Sequence, residues 1–214
     1  RHQGSTANTE YYLDCLGQQL ESNPSLEQVL VIIKQQVALN NYPKARLLLD
    51  EYHKHIGHEP RLLALEIEVS LTEQRFEHVV ELLPKAHKAK SLPNSKLYRW
   101  DYEAYLGCFS GLITQGDQSQ LLSYWKSLAR KLKQKEAIVL AYCHVLAKHQ
   151  LSQALDELLL PALKYDADEH FVKQLRRLPI SQCQSLINQV QKHLHKDSNN
   201  PKWLSLLGFL AFSD

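Results

Sequence analysis

Apolar residues recur at three- and four-residue intervals along most of the chain, and turn-forming Gly, Pro and Asn interrupt that rhythm at short distances. The pattern predicts helices joined by tight turns. Ser25-Leu-Glu-Gln28, which follows Pro24, reads as a capping box, because the Ser hydroxyl and the Gln amide can each satisfy an orphan amide at a helix start. Ser181-Gln-Cys-Gln184, after Pro179, repeats that signal. Caps, breakers and apolar spacing place helices at about 26–40, 43–56, 60–73, 76–90, 95–114, 118–132, 135–148, 151–164, 167–176, 181–195 and 201–212. One stretch dissents. Leu65, Ile67, Val69 and Leu71 alternate with Ala64, Glu66, Glu68 and Ser70, the two-residue period of a half-buried strand. A lone strand has no partner to pair with in a chain patterned as helices, so a helix is expected here too, and the fold class is all-α.

A fixed period underlies the helices. An aromatic or aliphatic residue is followed three positions later by a small or aliphatic one, each time after a polar turn: Tyr42 with Ala45, Phe76 with Val79, Leu151 with Ala154. Phe76 follows Tyr42 after about 34 residues, a repeat length that accommodates two helices and their turns. The longer gap from Phe76 to Leu151 leaves room for two further units if one is enlarged. Gln118 and Leu121, after the turn Gln115-Gly-Asp117, mark the degenerate member between them. A two-helix unit of this length cannot bury its apolar face until a neighbour stacks on it.

The segment Asp197-Ser-Asn-Asn-Pro-Lys-Trp-Leu-Ser-Leu-Leu-Gly208 closely resembles the junction and first helix of a tetratricopeptide repeat, with Leu204, Leu207, Gly208 and Ala211 expected at the packing positions. That resemblance implies stacked antiparallel helix pairs in a right-handed superhelix, the first helix of each pair lining a concave face. Residues 1–25 are then an N-terminal helix or the end of a preceding repeat. Residues 26–214 are the repeat domain, stopping after the first helix of its last repeat. The order of Phe76-Glu-His-Val-Val-Glu-Leu-Leu-Pro-Lys-Ala86, Leu121-Leu-Ser-Tyr-Trp-Lys126, Leu175-Arg-Arg-Leu-Pro179 and the Asn-Pro-Lys-Trp-Leu unit is similar to the carboxy-terminal part of the HemY-type proteins, encoded beside haem-biosynthesis genes in proteobacteria. This second resemblance implies a bacterial inner-membrane protein with its transmembrane anchor before Arg1, a role in haem or porphyrin metabolism, and haem-pathway enzymes as protein partners. The flavin-dependent protoporphyrinogen oxidase of the same name is a different protein: it needs a Gly-rich dinucleotide loop, and no GxGxxG occurs here.

Composition narrows the function further. A net charge of +2 gives no reason to expect nucleic acid, and no run of eighteen apolar residues occurs. Cys15, Cys108, Cys143 and Cys183 form no CxxC pair and read as buried small hydrophobes. The chain contains no methionine, which implies either a piece of a longer protein or modified methionines left out of the sequence as read. No GxSxG, HExxH or P-loop is present, so no enzyme is expected. No metal or cofactor is expected either: His53 and His55 are two apart and point to different sides of a helix, His58 lies past Gly57, His193 and His195 share the same objection, and His144 and His149 straddle a helix end. Tyr98, Tyr102, Tyr105 and Phe109 form a stripe on the long helix that reads as a packed seam or, if exposed, as a groove wall. The basic runs Lys85, Lys88, Lys90 and Lys126, Arg130, Lys131, Lys133, Lys135 read as solvated faces, or else as contacts for anionic headgroups or an acidic partner. The expected function is a non-catalytic docking scaffold, with a haem- or porphyrin-binding carrier as the alternative. Lys34, Arg61 and Glu68 are expected on the inner face of first helices, with Arg99 opening the same face of the long helix, as partner-binding residues.

Overall fold

The computed structural model describes residues 25–56, 59–113, 118–164, 167–181 and 183–212, the side chains of 54–56 excepted, so the N-terminal residues 1–24 and Cys15 lie outside it. The described residues form twelve helices: α1 (Leu26–Ala38), α2 (Tyr42–Ile56), α3 (Pro60–Thr72), α4 (Phe76–Lys88), α5 (Asn94–Leu112), α6 (Ser119–Ser127), α7 (Arg130–Lys133), α8 (Glu136–Lys148), α9 (Ser152–Lys164), α10 (Glu169–Leu175), α11 (Gln184–Leu194) and α12 (Pro201–Phe212). No strand occurs among them. The fold is all-α.

The predicted starts of α1 and α3 hold for local reasons. Ser25 Oγ accepts from the Gln28 amide at 3.4 Å, and the Ser25 amide donates back to Gln28 Oε1 at 3.0 Å, completing the capping box. Glu59 caps α3 by accepting from the amides of Arg61 and Leu62 at 2.7 and 3.1 Å. The strand-like alternation of 64–71 lies inside α3. This helix buries Leu62, Leu63, Ile67, Val69 and Ser70 against neighbours on more than one side, which blurs a single 3.6-residue stripe.

Three local expectations fail. The second capping box does not form, since α11 starts at Gln184 with Cys183 before it and Ser181 stays outside the helix. Burial of Leu178, Ile180 and Cys183 pins that segment in a non-helical path. The helix expected at 118–132 is two, because the backbone is extended at Leu128 (φ −62°, ψ 140°). There Ser127 Oγ donates to the Tyr124 carbonyl at 2.8 Å, a side-chain bond that competes with the helix ladder, and Lys133 Nζ donates to the Lys126 carbonyl at 2.8 Å. In α12 the buried residues are Trp203, Leu206 and Leu210, not the expected set: Leu204 is 46% exposed, Ala211 is exposed, and Leu207 and Gly208 are half-buried. The buried stripe is the one facing α10 and α11, and a Cβ on Gly208 would meet nothing within 4 Å.

One turn recurs three times. Asn40, Gln74 and Gln150 adopt φ of 57°, 58° and 56°, and the amide of the next residue returns to the carbonyl five places back: Asn41 to Gln36 at 2.9 Å, Arg75 to Ser70 at 2.8 Å, Leu151 to Leu146 at 2.9 Å. This is a left-handed helix cap that satisfies carbonyls left over at the helix end. The second turn follows the first at the same spacing as Phe76 follows Tyr42, and the residue five beyond each of the three, Ala45, Val79 and Leu155, is buried. The equivalent of Ala45 is therefore Leu155, not Ala154. Leu151 occupies the place of Asn41 and Arg75, so the expected register slips by one residue. Ala154 instead lines a shallow surface hollow with Gln118, Leu122 and Lys126.

The chain divides into two compact units, Arg1–Trp100 and Asp101–Asp214, with the boundary inside α5. In the first, α1 packs on α2 and α3, and α3 on α2 and α4. Its core joins Val29, Leu30, Ile33, Ala45, Leu49, Tyr52, Leu62 and Val69. In the second, α8, α10 and α12 stack in one layer, α9 and α11 in the other, with α8 against α9 and α11 against α12. Tyr105 and Phe109 are packed in this unit's core, where Phe109 meets Tyr142 at 5.3 Å and Trp125 stacks on Tyr142 at 4.1 Å. The lower part of the aromatic stripe is thus a seam. Cys108, Cys143 and Cys183 are buried and in no disulfide, as expected of small core residues. Among the described residues no helix is long and apolar enough to cross a membrane.

The corrected register sets an expected outcome. Leu155→Ala should cost about 2–5 kcal/mol by opening a cavity in the core. Ala154→Trp, at the rim of a surface hollow, should change stability by less than about 1 kcal/mol. Urea denaturation of the two variants checks the order, and a larger loss for Ala154→Trp would restore the original register.

Candidate functional site

In the first unit, charged side chains tie each first helix to the next. Arg61 on α3 reaches Glu27 on α1 at 2.6 Å, across 34 residues of sequence, and Glu59 at 3.0 Å. Both ends of the longer pair are exposed, at 52% and 72%, so water and salt screen it and it orients more than it stabilises. Glu68 on α3 is held more firmly. It accepts from the Arg99 guanidinium and, at 3.0 Å, from the indole Nε1 of Trp100, both on α5. Trp100 is fully buried, and a buried indole N–H needs an acceptor, so a core side chain fixes where the Glu68 carboxylate stands. Of the four residues expected to face a partner, the fold brings Glu68 and Arg99 together and gives Arg61 to Glu27. Lys34 stands apart, exposed on α1, one repeat length before Glu68 and in the same place on the preceding first helix. Sequence reasoning missed Glu27 and Trp100, although one repeat length back from Arg61 points to Glu27.

The second unit repeats the device with its own residues. Lys135 donates to the buried Asp101 at 3.0 and 3.3 Å, and Glu136 pairs with His170 at 2.8 Å, each pair again 34 residues apart. Lys202 Nζ donates to the Ala167 carbonyl at 2.9 Å, and the Arg176 guanidinium donates to Ser205 Oγ. Tyr102 on α5 bonds His144 Nδ1 on α8 at 3.0 Å, so the half-buried upper end of the aromatic stripe here is engaged within the fold.

Behind the first helices of the first unit lies a cluster that no sequence motif signalled. Glu66 on α3 stands between His53 Nε2 of α2 at 2.8 Å and His78 Nε2 of α4 at 3.0 Å. Burial raises the Glu66 carboxyl, but hydrogen bonding and charge from His53, and then from His78, outweigh it and hold the group below the usual carboxylate range. The three residues sit one on each of three successive helices, more than three helical turns apart in sequence, which no short-range spacing reveals. His193 is likewise structural, stacked on Trp203 at 4.2 Å with Nε2 2.6 Å from the Leu163 carbonyl. His149 and His195 are exposed at helix ends, while His58 and the His55 side chain lie outside the described residues. Among those residues no group of His, Cys, Asp or Glu is arranged to hold a metal ion. Lys85, Lys88 and Lys90 are exposed, as are Lys126, Arg130 and Lys131; Lys133 and Lys135 of the second basic run are taken up in structural contacts.

No family model, curated protein or solved structure matches this chain.

The Tyr102–His144 pair carries a pH signature. Burial, and then the charge of Lys148, lower the His144 pKa below its ordinary value, so the folded chain resists a proton that the unfolded chain accepts. The stability tied to this difference is complete above about pH 6.5 and is lost as pH falls through the lowered value. The melting temperature should therefore fall between pH 7 and pH 5, with a smaller fall in His144→Gln. Scanning fluorimetry at matched ionic strength measures both, and identical slopes would remove His144 as the cause.

Proposed function

We propose that the chain is a tetratricopeptide-type scaffold that uses its first-helix layer to hold a protein partner, without catalysing a reaction. The observation that carries this reading is the three-fold recurrence of one helix-closing turn, its first two copies one repeat length apart, together with first helices that stack on first helices within each unit. Within a unit, such stacking sets one helix of every pair on a common side. Charged residues of that side recur with the repeat, Lys34 exposed and Glu68 half-buried and held by Arg99 and Trp100. The resemblance to HemY-type proteins supports a station at the bacterial inner membrane and haem-pathway enzymes as the partner class. Tetrapyrrole carriage draws no support from five of the described histidines: His53, His78, His144, His170 and His193 all engage protein groups.

The test is affinity capture of a partner from bacterial membranes with the intact protein, compared across a salt series with Lys34→Glu. Lys34 is exposed and its reversal should leave the melting temperature within about 1 °C, because an isolated surface charge contributes little to folding. Capture should weaken, and its salt dependence should flatten. Equal capture by both proteins at every salt concentration would remove this face from the reading, and a stoichiometric Soret shift on haem titration would replace the scaffold with a carrier.

A further inference from the structure

The segment from Gln118 to Lys135 carries Lys126, Arg130, Lys131, Lys133 and Lys135 and no carboxylate. The extended backbone at Leu128 makes it a corner, with Lys126 near the end of α6 and Arg130 and Lys131 opening α7. Those three cations are exposed, and none forms an ion pair among the described residues. Lys133 is held beside them on a neutral acceptor: its Nζ donates to the Lys126 carbonyl at 2.8 Å and lies 6.0 Å from the centre of the Trp125 ring. Lys135 is taken by Asp101. In the hollow beside Lys126, the carboxylate of Glu157 accepts from Gln153 at 3.3 Å. The basic run of α4 differs, since Lys85 stands one helical turn from Glu81 and has a carboxylate on its own face. Apolar groups alternate with the cations of the corner: Leu122, Leu128 and Leu132 are half-buried. Trp125 is engaged in its stack on Tyr142 at 4.1 Å and is no platform for unpaired bases.

We infer that the α6–α7 corner lies against an anionic phospholipid surface, with Lys126, Arg130 and Lys131 among the phosphates and Leu128 at the headgroup level. The arrangement selects a surface over a discrete ligand. The hollow bordered by Lys126 includes neither Arg130 nor Lys131, so a small anion seated there meets one cation of the three. A lipid surface meets all of them at once, because its charges are spread over a plane and its headgroups rearrange to suit. Long Lys and Arg stems let the charged ends reach the phosphates while the apolar side chains approach the acyl boundary. The inference goes beyond the scaffold reading and is independent of it, since Lys34 belongs to the first unit and the corner to the second.

The test is cosedimentation of the full chain with vesicles of equal phosphatidylglycerol and phosphatidylcholine, against vesicles of phosphatidylcholine alone. The chain should bind the anionic vesicles only, and high salt should release it. Lys126→Gln, Arg130→Gln and Lys131→Gln together should weaken binding by more than about tenfold. Their melting curve should stay unchanged, because all three side chains are exposed. If the triple variant melts early, Arg130→Gln alone, expected to lose about fivefold, decides in the same way. Lys85→Gln, Lys88→Gln and Lys90→Gln together should cost less than the corner variant. Equal binding by wild type and the corner variant would overturn the inference, as would a larger loss from the α4 variant or equal binding to both kinds of vesicle. Displacement from the anionic vesicles by polyglutamate at equal charge concentration would give the corner to an acidic protein instead.

Discussion

The backbone hydrogen bond that follows each left-handed residue at Asn40, Gln74 and Gln150 governs how this chain folds back on itself. A non-glycine residue in that conformation costs on the order of 1 kcal/mol, and the turn persists because it satisfies two helix-end carbonyls at once. It also sends the next helix back along the first at a set phase. That phase drives the residue five positions on, whether Ala45, Val79 or Leu155, into the contact between the paired helices. Size at that position varies from a methyl to an isobutyl group, so the turn, not a close-approach alanine, is the common element of the three pairs.

Helix existence was legible from the chain because turn residues punctuate it and apolar spacing fills the gaps; phase was not. Leu151 looks like the counterpart of Tyr42 and Phe76 because it is the first large apolar residue after a turn, yet it stands where Asn41 and Arg75 stand. Ser181 looked like a cap because a capping box is read over four residues, while burial of Ile180 and Cys183 acts over the whole segment. In α12 both apolar stripes look equally fit for packing, and only the placement of α10 and α11 selects Trp203, Leu206 and Leu210. The candidate site divides the same way. The family's helix offset led to Arg61, Glu68 and Arg99, and Glu68 does meet Arg99, but the other partners came from elsewhere: a core tryptophan for Glu68, a first-turn acid on the preceding first helix for Arg61. The Glu66 cluster has no local signature at all.

The same charges serve two demands in the first-helix layer. Those that meet an opposite charge, such as Asp101 with Lys135, fix helix against helix and are largely spent. A cation that meets a hydroxyl, such as Arg176 with Ser205, is positioned by a neutral acceptor and keeps its positive charge. Electrostatic character therefore differs from place to place along one layer: paired and near neutral in one stretch, cationic in another. A partner meeting this surface encounters a pattern and not a uniform field.

The common sequence separation of the bridges Glu27–Arg61, Asp101–Lys135 and Glu136–His170 also bears on how the chain reaches its fold. Each such bridge spans one repeat and no more, so none requires distant parts of the polypeptide to meet first. The entropy of closing a loop of that length is incurred once per repeat, in small equal instalments, and a formed hairpin offers a ready surface to whichever neighbour folds next. Within a unit, assembly can thus begin at one hairpin and spread to the neighbour stacked on it, with local contacts favouring speed.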